Sequence, residues 1–162
     1  MREIAHVRLR LLLRYDEITG EFTRLQSTSS NAKAGDIAGC ANGKGYIDIF
    51  VDGRSYRAHR LAWFYVTGSW PDGLIDHADG DRSNNRLSNL RLATNSQNCA
   101  NAKLRRDNGT GAKGVRRMNG RWQVRIGSGG RKHVGTYDTM EDAQAAYEHA
   151  ALNLYGPFAR AK

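Results

Sequence analysis

Residues 75–98, "IDHADGDRSNNRLSNLRLATNSQN", hold an adjacent Asp76–His77 pair, three aspartates and five asparagines. Carboxylate and amide oxygens are hard ligands of the kind Mg²⁺ accepts, and Mg²⁺ also takes waters and phosphate oxygens. An imidazole titrating near neutrality can remove a proton from an attacking water. A metal held at Asp76 and Asn98 would neutralise charge on a scissile phosphate and its leaving oxygen. Plainer readings stand beside this one. Asp76 could simply turn the chain, as Asp79, Gly80, Asn84 and Asn85 are expected to do. Asn95 competes with Asn98, although a backbone role suits its place in a capping region. His59 opens a helical pattern and reads first as a packed or DNA-facing residue. Trp63 and Phe64 read as core.

These residues need elements to hold them. "GLID" is expected to be a short strand, "HADGDRSNNRLS" a polar loop, and "NLRLAT" a second strand with Leu90 and Leu92 on one face. Thr94 and Gln97 form an S/T-x-x-E/Q capping box, so a helix is expected over residues 95–106. Packed across the two strands, that helix would carry Asn98 back towards Asp76. Upstream, a hairpin is expected around Thr19-Gly20. A second, "YIDIFV" and "RSYRA", turns at Asp52-Gly53. "HRLAWFYVTG" has helical spacing and ends at Gly68.

The order strand, loop, strand, helix, with Asp-His, then asparagine twelve positions after the histidine and again nine further on, resembles the HNH nuclease motif of the ββα-metal fold. Residues 58–98 are similar to phage-borne HNH homing endonucleases. The resemblance implies that Asp76 and Asn98 are metal ligands, one divalent ion per active site. It implies that His77 is the general base and that Asn89 ties the loop and orients the histidine. Asn98 stands where many such enzymes have histidine, which points to Mg²⁺ or Mn²⁺ rather than zinc.

The net charge of +9 is uneven: residues 1–102 carry 13 Lys/Arg against 11 Asp/Glu, whereas residues 103–162 carry 12 against five. Such asymmetry suggests a polyanion partner. The alternative is a solvated basic surface. Residues 107–113 read as a linker. Beyond them "GVRRM", "RWQVRI" and "KHVGTY" read as three strands, with a hairpin turn at Asn119-Gly120. "DTMEDAQAAYEHAALNLYG" reads as a helix capped at Asp138 or Thr139. Its expected buried face is Ala143, Ala146, Tyr147, Ala150 and Leu154. Arg116, Arg117, Arg121, Arg125, Arg131 and Lys132 fall on or beside the strands and can reach phosphates and base edges. Strand parity puts Trp122 and Val124 on the opposite face from Arg121, Gln123 and Arg125. The segment resembles the Apetala-two/ethylene-response-factor DNA-binding domain. In that family the matching tryptophan can reach DNA, so packing and DNA contact both stay open for Trp122.

No run of 18 apolar residues occurs, which argues against a membrane span. The start shows no signal-peptide pattern. Cys40 and Cys99 are isolated, which argues against a zinc ribbon or a disulfide framework. The expectation is an α+β protein in a reducing cytoplasm, that of the host if a phage encodes it. Residues 1–106 would form the HNH domain and 114–162 the basic module. The expected function is metal-dependent cleavage of double-stranded DNA by a site-preferring homing endonuclease, with no obligate protein partner. A non-catalytic DNA-binding regulator and a non-specific phage nuclease are the alternatives.

Overall fold

The computed structural model describes residues 4–127 and 132–160. It is α+β, and the chain folds as two compact units, Met1–Leu92 and Ala93–Lys162.

The first unit opens on a short helix, α1 (His6–Leu12), which local sequence patterning did not suggest. The expected first hairpin follows as β1 (Leu13–Tyr15) and β2 (Phe22–Arg24). β3 (Ile37–Ala38) extends it, and β4 (Cys40–Ala41) begins the next sheet. β5 (Ile47–Val51) and β6 (Arg54–Arg57) pair antiparallel around Asp52-Gly53. Both turn residues have positive φ, as a two-residue hairpin turn requires. α2 (Ala58–Thr67) ends at Gly68 in the left-handed region and buries Leu61, Ala62 and Phe64. β7 (Leu74–His77) and β8 (Leu90–Ala93) form a two-stranded sheet. One core runs through the unit, from Leu9 and Leu13 through Phe22, Ile49 and Leu61 to Ile75 and Leu90. Leu92 is exposed while Leu90 is buried, so the expected common burial of these two does not occur.

The second unit begins with α3 (Asn95–Asn101), capped by Thr94 and Gln97 in the full reciprocal box. It is shorter than expected and ends at Ala102. The expected linker is an ordered loop. The Asn108 side chain accepts from the backbone N–H groups of Thr110 and Gly111, and Ala112 is buried. Lys113 donates to the carbonyls of Ala100 (3.0 Å) and Arg160 (2.7 Å), tying α3 to the C-terminal segment. The compact units therefore divide after Leu92, whereas composition placed a boundary after residue 106.

β9 (Val115–Met118), β10 (Arg121–Ile126) and β11 (Lys132–Tyr137) form an antiparallel sheet in the order β11-β10-β9. α4 (Met140–Tyr155) packs on it, and Thr139, not Asp138, supplies the cap. Ala143, Tyr147 and Ala151 are its buried residues, while Leu154 is exposed. The buried stripe thus follows a spacing of four rather than the wider face expected. Gly114, at φ +66°, is required where the chain enters β9. A Cβ there would meet the carbonyl of Arg125 and the ring of Tyr147.

Candidate nuclease site

The strand end at β7 buries Asp76 and His77 together, each only 4% exposed. A buried carboxylate needs a partner, and Arg91 of β8 supplies it: Nε and Nη2 both reach Oδ2 of Asp76, at 2.9 and 2.8 Å.

Asn89 pins the intervening loop. Its side-chain oxygen accepts from the N–H of Asp79 (3.0 Å), and its amide donates to the Asp79 carboxylate (3.0 Å) and the carbonyl of Asn84 (2.8 Å). Its own carbonyl accepts from the N–H of Ala78 at 2.9 Å. Asn89 therefore fixes the backbone that leaves His77.

The ring of His77 is held by other groups. Nε2 lies 3.4 Å from Oδ1 of Asn85, an oxygen that can only accept, so the contact favours the tautomer with its proton on Nε2. The rings of His59 and Tyr46 stand 5.0 and 6.0 Å away, the former edge-on at 80°. Burial pulls the His77 pKa below its ordinary value, against the Asn85 contact and the charges of Asp79, Asp76 and Asp81. At neutral pH the ring is uncharged. His59 is pulled further, to about 3, by burial first, then by the neighbouring His77 and the guanidiniums of Arg60 and Arg57. Its Nδ1 is buried without a hydrogen-bond partner among the described residues.

Sequence reasoning did not identify Asn85, Tyr46 or Arg91 as parts of the site. Asn85 looked like one more turn residue, and nothing local marks the other two. His59, read first as a packing residue, does pack, but against His77.

Asn98 and its rival Asn95 belong to the second unit. Asn98 is half-buried on α3, and Asn95 is exposed. Thr94 makes the cap, which leaves Asn95 without the backbone role expected of it. On the C-terminal sheet, register divides the expected DNA-contacting residues. Arg116 is paired with Gln123, Arg121 with Met118 and Arg125 with His133 on the face away from α4. Arg117 pairs with Trp122 on the other side, its guanidinium 5.8 Å over the indole. Trp122 is half-buried against the α4 core, the packing that parity indicated. Lys132 pairs with the buried Ile126 and is itself exposed. Arg131 lies outside the described residues. No helix among the described residues is long and apolar enough to cross a membrane.

The family model described as HNH endonuclease matches residues 56–100, which include Asp76, His77, Asn89 and Asn98. Protein 3.8 of Escherichia phage T7 is 33% identical over 107 residues, covering 64% of this chain and 88% of that protein. An uncharacterized HNH endonuclease of Acanthamoeba polyphaga mimivirus is 31% identical over 121 residues, covering 72% of this chain and 63% of that one. Among solved structures, the HNH homing endonuclease I-HmuI is 26% identical, covering 51% of this chain and 47% of its own, with a TM-score of 0.38. With the family pattern spanning both strands of the candidate site and a relative matched over nearly all its length, the chain belongs to the HNH endonuclease family.

Proposed function

We propose that the protein is a divalent-metal-dependent DNA endonuclease of the homing type. His77 acts as general base, Asp76 and Asn98 as metal ligands, and Asn89 as the residue that fixes the loop. The observation that carries the reading is the buried Asp76–His77 pair at a strand end whose outgoing loop Asn89 pins through four hydrogen bonds.

The donor set fits a hard cation. No group of three or more His, Cys, Asp or Glu side chains that could hold a metal occurs among the described residues. One carboxylate and one amide, completed by water and phosphate oxygens, match Mg²⁺ or Mn²⁺ better than zinc. When bound, the ion would supply Lewis-acid stabilisation of charge on the phosphate. Arg91 holds the Asp76 carboxylate in its orientation. With its proton on Nε2, His77 offers the Nδ1 lone pair to the attacking water. Its lowered pKa keeps that lone pair available at neutral pH. Asn98 enters this assignment from its place in the family motif.

The second unit would hold the substrate. Arg116, Arg121 and Arg125 share one sheet face with Gln123, a surface able to follow a DNA groove. Arg117, Trp122 and Lys132 would contribute from the edge or through packing, and Arg131 is kept in the proposed set from sequence. The resemblance to the Apetala-two/ethylene-response-factor domain supports this role. A second DNA contact raises the local concentration of substrate at the cleavage site.

The test is nicking of supercoiled plasmid with Mg²⁺. The wild-type chain should cut, EDTA should stop it, and His77→Ala should lower the rate by about 10²-fold or more while binding changes little. A chain that binds DNA but never nicks it is a non-catalytic regulator. Random cut ends on both strands would instead identify a non-specific nuclease.

A further inference from the structure

The first unit carries cations beside His77 that the C-terminal basic module does not account for. Tyr46, just before β5, stands 6.0 Å from the His77 ring and 5.3 Å from the His59 ring, so it lines the candidate centre. Two guanidiniums lie over that one tyrosine, Arg57 at 5.2 Å and Arg82 at 5.0 Å from its centroid. They come from different parts of the chain, the end of β6 and the loop between β7 and β8. Each is held by a further group: Arg57 by the carboxylate of Asp48, Arg82 by the carbonyl of Lys44 at 3.1 Å.

Two like charges gathered on one ring repel each other unless an anion balances them. Asp48 balances Arg57. Arg82 is exposed and has no carboxylate partner among the described residues, so one positive charge of the pair stays unbalanced. A neutral carbonyl and a ring face fix the direction of its guanidinium without cancelling its charge. A planar guanidinium carries five donors in a fork that matches phosphate oxygens, and the internal bond of Arg82 uses only Nη1. The exposed ammonium of Lys44 belongs to the same segment.

We infer that Tyr46, Arg57 and Arg82 form a phosphate-binding wall, in which the aromatic ring orients Arg82 to grip a DNA backbone phosphate next to the one being cut. The inference rests on the nuclease reading above and deepens it. DNA would be gripped at the cleavage centre itself, independently of the C-terminal sheet. Arg82 is the phosphate ligand. Tyr46 is a positioning residue, and Arg57 shares its charge with Asp48.

The experiment uses the full chain and supercoiled plasmid with Mg²⁺, reading KM, kcat and the slope of log affinity against log salt. Removing a single cation–phosphate pairing should reduce that slope by about one. Arg82→Gln should therefore raise KM and flatten the slope by that amount, with kcat changed much less than KM. Arg82→Lys should restore the slope without the full affinity, because a point charge replaces an oriented fork. Tyr46→Leu should raise KM while leaving the total charge, and so the slope, nearly intact. A thermal melt of each variant separates these effects from misfolding. If Arg82→Gln is folded and keeps wild-type KM and slope while His77→Ala is inactive, the phosphate wall is wrong and the nuclease reading stands. If His77→Ala cuts like wild type, the nuclease reading fails whatever Arg82 does.

Discussion

The hydroxyl of Tyr15 donates to the backbone carbonyl of Asn85 at 2.6 Å, and the side chain of Asn85 is in turn the hydrogen-bond partner of His77. A residue in the first hairpin thus reaches, through one intermediary, the imidazole proposed as the general base. Arg86 donates to the carbonyl of Ile18, and the N–H of Leu87 to that of Glu17, so the whole hairpin tip braces residues 85–87. Burial also raises the Tyr15 pKa, which keeps the hydroxyl a donor at any physiological pH.

Tyr15→Phe removes this donor and leaves a carbonyl in a buried setting unsatisfied. The expected loss of stability is about 1–3 kcal/mol, measured by urea denaturation. Nicking should fall through kcat rather than KM, since the change acts on the orientation of His77. An unaltered kcat would show that the brace does not reach the chemistry.

Gly20→Ala tests the same brace sterically. Gly20 has φ +78°, and an added Cβ would meet the backbone of Asn85 and Arg86. Strain of this kind costs of order 1–3 kcal/mol, and here the loop must also move. The variant should be clearly less stable than wild type and nearly inactive. Wild-type melting and cleavage would show that the hairpin and loop separate without consequence.

His59 gives a signed pH dependence. Its folded-state pKa is lowered to about 3 by burial, against an ordinary value of 6.5. Between those values the unfolded chain binds a proton that the folded chain does not. The stabilising contribution is complete above pH 6.5 and is lost as pH falls towards 3. His59→Phe keeps an aromatic ring and removes the titration. The stability of wild type relative to this variant should fall from pH 6.5 to 4.5, measured by denaturation at each pH. Parallel curves would mean that His59 is not held neutral by the fold.

The Asp76–Arg91 pair separates electrostatics from metal binding. Asp76→Asn leaves the guanidinium of Arg91 without its carboxylate in a mostly buried place, at a cost of about 3 kcal/mol. Adding Arg91→Met should recover much of that stability. Cleavage should not return, because the carboxylate proposed to hold the ion is still missing. Recovery of nicking in the double variant would remove Asp76 from the ligand set.

On the open face of the C-terminal sheet, Arg116 donates to Gln123 at 2.8 Å and Arg121 to Asp138 at 2.6 Å, so both side chains are oriented. Replacing both with Gln should weaken plasmid binding and lower its salt slope by about two. Gel-shift titrations over a range of salt concentrations would measure this. Unchanged binding would make this face a solvated surface with no role in holding DNA.

Much of the architecture is determined locally and could be read from the chain itself. Period-two patterns and Asp-Gly or Asn-Gly turns specify β5–β6 and β9–β10. The Thr94/Gln97 box starts α3, and the Asp76-His77 dipeptide with Asn89 marks the candidate site, because turn chemistry and capping act over a few neighbouring residues. Tertiary contacts decided the rest. Leu92 reads like Leu90, but only Leu90 meets the core. The stretch before β9 reads as a tether, yet Asn108 and Lys113 fold it into the second unit. Asn85, Tyr46, Arg91 and Tyr15 gain their roles only when segments up to 70 residues apart meet around His77. No local propensity records such meetings, because burial and the pairing of buried polar groups are properties of the assembled fold.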